Sequence, residues 1–497
     1  MKIGLIIPPS LILSDERFFM HLGILKVAAV LEKAGVPVEV LDLSGVQNYK
    51  KVAEVYVSGT DANTFGITAT SPQMPASVEI AEVVRRIRPQ GRVILGGPHV
   101  TLVQAAVRGE LRRGTPGRAG RARAQLEEIF DTLVAGDGEE SIFLALEEDS
   151  VSKVIDADDP KSPLFLTQKK LTEMPFPARH LVDVKSYHYA IDGIPAISMI
   201  AQLGCPFQCG FCGGRESPFL RRPRIRSTES VIAEMREIYT RFGFRAIMFY
   251  DDELNVNKEM VPLMKAIAQL GKELGIEWRL RGFAKAELFT NEQADTMREA
   301  GFRELLTGFE SGSPRILKNI RKNATQEENT RCVEIAHACG LRVKALMSIG
   351  HPGESEETIK ETRDWVLAMR PESFDLTRIT VYPGTPYFDH AVPHKSEKGV
   401  WTYTAKNGDR LHSREVNFLK DFLYYKGDRG DRLGLNKFFA FTDELSVDDL
   451  ASLRKEIEDE LREKLGQPYQ TDAPAIQYEH SMGQGLPEHI LRQAQTD

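Results

Sequence analysis

The sequence predicts an α/β protein: an N-terminal Rossmann-like, doubly wound domain, then a partial (β/α)6 barrel, then a C-terminal extension that is mainly helical. Three observations predict this. Short apolar runs alternate with helical patterns over the first 140 residues; a proline-rich connector then breaks the alternation; and from residue 194 it resumes for six more units. The 497 residues, 42% of them apolar, are enough for two or three cores.

In the first series KIGLII (2–7), VPVEVLDL (36–43), NTFGITAT (63–70), RVILGG (92–97) and TLVAGDG (132–138) read as strands. LGILKVAAVLEKAG (22–35) and SVEIAEVVRRIR (77–88) carry apolar residues at helical spacing between them. In a doubly wound sheet ligands sit beyond the carboxyl ends of the strands. Those ends here are small and expose backbone: Thr68, Thr70, Ser71 and Gln73; Gly96, Gly97, Pro98 and His99; Gly136, Asp137, Gly138 and Glu139. The arginine-rich stretch 111–125 lacks interleaved aromatics for base stacking and reads as a solvated loop or helix. Residues 148–193 form a turn-rich linker between a first domain of 1–147 and a barrel of 194–395. Barrel strands are expected at 194–202, 246–253, 277–285, 304–311, 342–350 and 374–382, with a helix over 228–243. Six units without two more imply a barrel open on one side. The final segment, 396–497, is aromatic and charged, then helical over 446–466, where Ser446 and Asp449 form a capping-box variant; its aromatics are expected to cover the open side of the barrel.

A net charge of −7 gives no general attraction to nucleic acid, and no apolar run is long enough to span a bilayer. The apolar N-terminus is interrupted by Pro8, Pro9, Asp15 and Glu16 and reads as a buried strand. Five cysteines, three of them within eight residues, argue for a reducing cytoplasm and a cysteine-ligated metal rather than a disulfide scaffold.

Those three are Cys205, Cys209 and Cys212, on a glycine-rich loop directly after the first barrel strand. Three thiolates on one tight loop hold three irons of a cubane and leave the fourth open to a ligand. Structural zinc requires a fourth protein ligand, and none is near in sequence. Cys332 and Cys339, on a predicted helix, read as buried apolar residues. Asp251, Asp252 and Glu253, after the second barrel strand, could serve a divalent cation or glycoside hydrolysis, but neighbouring strand residues alternate faces, so an amine contact fits better. Glu310, after the fourth, suits a pair of ribose hydroxyls; Arg281, on the third, suits a carboxylate.

The C-x3-C-x2-C spacing, with the aromatic Phe211 before the third cysteine, resembles the signature of the radical SAM superfamily. Further matches follow in order: Phe249 to Glu253, Gly308 to Ser313 and its G-x-E-S-G-like pattern, Ser348 to Glu354, and Tyr382 to Pro386. The resemblance implies a [4Fe–4S] cluster on the three cysteines and S-adenosylmethionine held by Phe211, Asp251, Asp252, Glu253, Arg281, Glu310 and Ser311. It also implies an external electron donor such as flavodoxin or ferredoxin.

The first domain, through residues 22–31, Gly96 to Thr101 and Gly136 to Glu140, resembles the cobalamin-binding domain that precedes the barrel in one large branch of that superfamily, the class B methyltransferase-like enzymes. The resemblance implies cobalamin at the three strand-end loops, its nucleotide tail in the sheet edge. No D-x-H-x-x-G motif is present, so a histidine below cobalt is not implied; Thr70, Ser71 or Gln73 would lie near the lower face, and His99 would hydrogen-bond within its loop. The implied activity is methylation of an unactivated carbon of a small molecule through a 5′-deoxyadenosyl radical and methylcobalamin. A radical cyclase or oxidoreductase is the alternative, and a non-catalytic cobalamin sensor, which has no need of the cysteines, is a third. Methylthiotransferases share the cluster loop but carry a second cysteine set before the barrel, whereas residues 1–204 contain none.

Overall fold

The structure, a computed structural model, describes residues 2–10, 17–46, 48–114, 117–147, 153–423, 436–437 and 439–467. The first alternating series forms a six-stranded parallel sheet. Its strands are β1 (Ile3–Ile7), β2 (Val38–Asp42), β3 (Thr64–Thr68), β4 (Arg92–Gly96), β5 (Thr132–Gly136) and β6 (Val154–Ala157), in the order β2-β1-β3-β4-β5-β6. Helical crossovers cover both faces: α1 (Leu22–Lys33), α2 (Tyr49–Gly59), α3 (Met74–Ile87), α4 (Pro98–Arg113), α5 (Arg118–Ile129) and α6 (Gly138–Ala145). Strand β1 is buried at every position, which is why IGLII is continuously apolar rather than alternating. The order reverses between β1 and β3, so the topological switch point lies at their carboxyl ends.

Two local readings change. Strand β6 lies inside the segment read as a linker, where VIDA is too short and polar to stand out. The arginine-rich stretch is the end of α4 and the start of α5, and one of its residues, Arg118, is buried rather than solvated.

The second series forms a seven-stranded sheet in the order β13-β12-β11-β10-β9-β8-β7. Its strands are β7 (Ala190–Ile191), β8 (Ile194–Met199), β9 (Ala246–Phe249), β10 (Arg279–Phe283), β11 (Phe302–Glu310), β12 (Arg342–Ile349) and β13 (Ser373–Arg378). The six expected strands run parallel and β7 is antiparallel to β8, so the sheet curls without closing. Helices α7 (Thr228–Glu237), α8 (Met260–Leu274), α9 (Asn291–Ala300), α10 (Gln326–Ala338) and α11 (Glu356–Met369) cover its outside. Capping boxes start α9 (Thr290 with Gln293) and α10 (Thr325 with Glu328), satisfying backbone donors that would otherwise lack partners.

The C-terminal segment begins as strands, contrary to the helical expectation. An antiparallel sheet in the order β14 (Val392–Pro393), β15 (Val400–Thr404), β16 (Arg410–Arg414), β17 (Ala440–Thr442) precedes helix α12 (Val447–Leu465), which is capped by Ser446 and Asp449 as read. Leu450, Ile457 and Leu461 of α12 pack into the barrel core, and Arg454 donates to the Leu376 carbonyl of β13, so the helix shields the open edge. Tyr403, Phe418 and Phe439 are buried. Tyr424, Tyr425, Phe438 and the segment 468–497 lie outside the described residues, as does the side chain of Phe422.

Buried polar contacts join the first domain to the barrel. Arg224, 2% exposed, donates to both oxygens of Asp137 at 2.8 and 2.7 Å. Asp158 accepts from Ser217 at 2.7 Å and pairs with Arg108 of α4. From the linker, Arg179 donates to Glu234 of α7 at 2.7 Å.

Candidate active site

The cysteine loop leaves β8 through a two-stranded ribbon, 202–203 against 224–225. Gly204 has a positive φ of +87°, and any Cβ there would strike the Arg222 backbone. A Cβ on Gly210 would stand 2.6 Å from the Tyr387 ring, so only glycine allows so close an approach. Backbone bonds hold the loop from the other side of the barrel: Gly210 N–H to the Ile320 carbonyl at 2.7 Å and Gly214 N–H to the Gly384 carbonyl at 2.8 Å. The six residues from Cys205 to Gly210 therefore have little freedom.

Arg215, which sequence reading missed, is 6% exposed and turns back into this loop. Its guanidinium donates to the carbonyls of Cys205 at 3.3 Å, Gly213 at 3.4 Å and Phe207. Burial pushes the Cys212 thiol up to about 12, against the pull of Arg215 and with the two other thiols adding to the rise. Cys212 thus feels the two other thiols and Arg215, while Cys209 also acts on the buried Lys322. Among the described residues no three histidine, cysteine or acidic side chains converge as the cage of a single ion. Thiol donors alone, on one rigid loop, fit a multi-iron cluster better than a lone zinc.

The acidic triplet after β9 divides its work. Asp251, 2% exposed, accepts the Ala201 N–H at 3.0 Å and the Gln202 N–H; burial, partly offset by these bonds, pushes its carboxyl up to about 7. Asp252 accepts the Gly204 N–H at 2.9 Å. Both brace the entry to the cysteine loop. Glu253 instead lies near two buried lysines, Lys285 and Lys322, and burial pushes it up to about 7 despite them.

Glu310 ends β11 with φ at +67°, in the left-handed region that a glutamate rarely adopts. A register shift between Gly308 and Glu310 accompanies it. Strain of this kind persists where the surroundings impose it and clusters at functional sites. Its carboxylate accepts from Ser348 at 2.7 Å and pairs with Lys322 at 3.3 Å. Ser348 contacts His351 Nε2 at 2.8 Å, and His351 Nδ1 lies 3.3 Å from the Tyr387 hydroxyl, which completes a chain from the barrel mouth to the ring beneath Gly210. The Phe211 ring stands edge-on to His351 at 5.4 Å. Lys285 donates to the Lys322 carbonyl at 3.0 Å and lies 4.2 Å above the Phe207 ring. Neither lysine was singled out from the sequence.

Two expected residues are engaged elsewhere. Arg281 pairs with Glu304 at 2.5 Å and donates to the Tyr189 hydroxyl at 3.0 Å, toward the opposite end of the sheet. Ser311 is hydrogen-bonded to Thr362 at 2.9 Å and accepts the Ser313 N–H at 3.0 Å.

In the first domain an apolar cleft runs beneath the sheet, between its face and helices α1 and α6. Thr68, Gly96, Gly97, Pro98, Gly136, Gly138 and Glu139 line it, as expected of the strand-end loops, together with Gly66, Ile94 and Val134 of the sheet. It occupies the sheet's face rather than its edge. Gly97 has φ at +98°, and a Cβ there would meet Ala69 N at 2.7 Å and Thr68 Oγ1 at 2.8 Å, which explains the paired glycines. Two lining residues went unread: Lys26 of α1 and Thr101, whose hydroxyl accepts the Gly136 N–H at 2.9 Å. Barrel residues Ile200, Leu203 and Phe219 close the far wall.

The remaining loop residues bind one another. Gln73 accepts from the Thr70 N–H and hydroxyl at 3.0 and 2.9 Å and donates to the Pro8 carbonyl at 2.8 Å, tying together the two loops of the switch point. Ser71 lies 2.9 Å from His99 Nδ1, and burial pulls the imidazole down to about 4, so it is neutral. Asp137 faces Arg224 rather than the cleft.

A doubly wound domain with an apolar cleft at its switch point, set against a half-barrel bearing a three-thiol loop, defines a two-domain radical enzyme. Comparison with known families agrees: residues 12–140 match the B12 binding domain and residues 199–366 the Radical SAM superfamily. The chain thus carries the two domains of the cobalamin-dependent radical SAM enzymes, which fits a [4Fe–4S] cluster, S-adenosylmethionine and cobalamin as its cofactors. It is 28% identical to the uncharacterized methyltransferase PH0819 of Pyrococcus horikoshii, over 79% of this chain and 83% of that one. It is 23% identical to the anaerobic magnesium-protoporphyrin IX monomethyl ester cyclase of Cereibacter sphaeroides, over 68% of this chain and 54% of that one. The fold is that of the radical S-adenosylmethionine methyltransferase TsrM from Kitasatospora setae, solved with cobalamin and a [4Fe–4S] cluster (TM-score 0.61, 18% identity, 93% and 99% of the two chains). Among the described residues no helix is long and apolar enough to cross a membrane.

Proposed function

We propose that this enzyme methylates a carbon atom of a small molecule at the junction of its two domains. The observation that carries the reading is the shared wall: Ile200 and Leu203, which lead into the cysteine loop, line the same cleft as the strand-end loops of the first domain. Leu102 of α4 also packs on the loop, 3.0 Å from the Cβ position of Gly213. When bound, the cluster and S-adenosylmethionine supply a carbon-centred radical, and cobalamin a transferable methyl group.

The chain's own residues position these groups. Cys205, Cys209 and Cys212 hold the cluster, and Arg215 fixes their loop. Glu310, oriented by Ser348 and Lys322, offers two acceptor oxygens to a ribose. Glu253 receives the methionine ammonium, and Lys285 and Lys322, in place of Arg281, face its carboxylate. The apolar cleft beneath the sheet excludes water from the nucleotide tail of cobalamin, with Lys26 and Thr101 as its polar contacts. The likeness to PH0819 favours methyl transfer; the likeness to the anaerobic cyclase favours, as the second reading, ring formation or oxidation without it.

Anaerobic reconstitution with iron, sulfide and cobalamin, followed by product analysis with candidate substrates, separates the two. Methyl transfer yields both S-adenosylhomocysteine and 5′-deoxyadenosine; the second reading yields 5′-deoxyadenosine alone. Absence of both products, with Cys209→Ala indistinguishable from wild type, overturns the proposal.

A further inference from the structure

The arginine-rich stretch that reads as solvated in the sequence holds one side chain that is not. Arg118, at the start of α5, is 5% exposed and lines a cleft between α5 and the chain from Glu415 to Asp421. Its guanidinium carbon stands 3.8 Å from the centre of the Phe388 ring and 4.6 Å from that of Trp401, so two aromatic rings hold it in place. Nε and Nη1 are buried without a hydrogen-bond partner among the described residues. Glu415 lies 3.3 Å from Nε, close enough for an ion pair but not aligned to accept a hydrogen bond. The same carboxylate is 3.7 Å from Arg121 and takes the Trp401 indole N–H at 2.5 Å. Burial outweighs these neighbours and pulls the guanidinium down to about 10.

A buried charged donor is destabilising unless something accepts from it, and buried polar side chains nearly always have a partner. The surroundings of this one suit an anion. Arg118, Arg121 and Gln125 fall at i, i+3 and i+7 of α5, on one face of the helix, and all three line the cleft. The Ala119 and Gly120 N–H groups at the start of α5 are already taken by Glu110 at 2.9 and 3.0 Å, so the guanidinium and not the helix end is the open donor. Asp421, the cleft's other acid, accepts the Asn417 N–H at 2.8 Å within its own turn. Phe388, Phe418 and Leu419 supply apolar walls. The cleft shares no lining residue with the apolar cleft beneath the sheet.

We propose that this cleft binds a small molecule through a carboxylate or phosphate group, with the guanidinium of Arg118 meeting two oxygens of the anion and Arg121 and Gln125 as the outer contacts. Both groups present the same pair of oxygens, and the guanidinium fork matches either. The bound anion bridges α5 of the first domain and the segment 415–421 of the C-terminal extension, which meet at this cleft. Its binding involves no bond made or broken and no redox step, and it requires neither the cluster nor cobalamin.

The test titrates inorganic phosphate and, separately, acetate into the full chain at constant ionic strength and records tryptophan fluorescence. Trp278 and Trp365 are buried in the barrel core, so a change reports on Trp401 beside the guanidinium. Wild type is expected to give a saturable change with at least one of the two anions, and the tighter of them identifies the group. Arg118→Met is expected to weaken that binding about tenfold or more, since hydrogen bonds to a charged group are lost. Arg118→Lys keeps the charge but not the fork and is expected to bind several-fold more weakly than wild type; it decides the matter if Arg118→Met fails to fold. No saturable response to either anion in wild type, or equal affinities in wild type and the folded variants, overturns the site. A sodium chloride titration that reproduces the change also overturns it, since screening alone then accounts for the signal.

Discussion

The Asp137–Arg224 pair offers a quantitative test of how the two domains are joined. The Arg224 side chain is 2% exposed and that of Asp137 1%. Asp137→Asn keeps an acceptor for the Leu166 N–H, now 2.9 Å away, but removes the negative charge facing Arg224. Breaking a buried ion pair from one side costs about 3–5 kcal/mol, because the remaining charge is left uncompensated. Arg224 keeps the Leu166 carbonyl at 3.1 Å, the Phe219 carbonyl at 3.3 Å, and the rings of Phe165 and Phe219 within 5 Å, which places the loss near the lower end, about 3 kcal/mol. That is roughly a 150-fold change in the folding equilibrium. Urea denaturation of the cofactor-free chain measures it. Asp137→Asn combined with Arg224→Met removes both charges and should restore stability to within about 1 kcal/mol of wild type, since an apolar replacement of a buried pair is nearly neutral. A single-variant loss below about 1 kcal/mol, or a double variant as unstable as Asp137→Asn, would refute the buried-charge account.

Four further outcomes are expected. Gly97→Ala forces a side chain into left-handed backbone and against Ala69 N, so it should cost about 2 kcal/mol or more and weaken cobalamin uptake, followed by visible absorbance. Glu310→Gln should weaken S-adenosylmethionine binding about tenfold or more while leaving the cluster spectrum intact, as checked by equilibrium dialysis; unchanged affinity would remove Glu310 from the ribose contact. Cys209→Ser should abolish stable iron and sulfide uptake, measured by iron analysis after reconstitution. His99 is neutral in the fold because burial pulls it from 6.5 to about 4, so the unfolded chain binds the extra proton as pH falls through 6.5. It therefore removes up to about 3 kcal/mol of stability between pH 6.5 and 4, and His99→Gln should flatten that part of the stability curve; parallel curves would exclude the mechanism.

What was legible in the sequence was what periodicity and close spacing encode. IGLII is continuously apolar because β1 is covered on both faces, and the three cysteines lie on one loop, so both announce themselves within a few residues. Strand β6 escaped because four residues with a central aspartate carry too little pattern, and the C-terminal sheet because strands such as RLHSR put polar side chains, His412 and Ser413, in buried positions. At the site, sequence correctly located the strand ends but not which way their side chains turn. Asp251 and Asp252 were read as ligand contacts from their place after β9; backbone N–H groups 48 to 50 positions earlier claim them, and nothing local encodes that pairing.

The same reason explains why Arg281 was read as the carboxylate contact and Lys285 was not singled out. Both follow from the third barrel strand, and guanidinium matches a carboxylate better than ammonium does. The decisive fact is the direction of the strand: Arg281 lies mid-strand, paired with Glu304 near the start of β11, whereas Lys285 stands beyond the strand's carboxyl end, where every other site group lies. A charge four residues further along a parallel strand is displaced by about 13 Å, enough to move it from the floor of the half-barrel to its mouth. Lys285→Met should therefore weaken S-adenosylmethionine binding while Arg281→Met, if it folds, leaves the affinity unchanged, and the reverse order in a binding titration would return the carboxylate contact to the arginine.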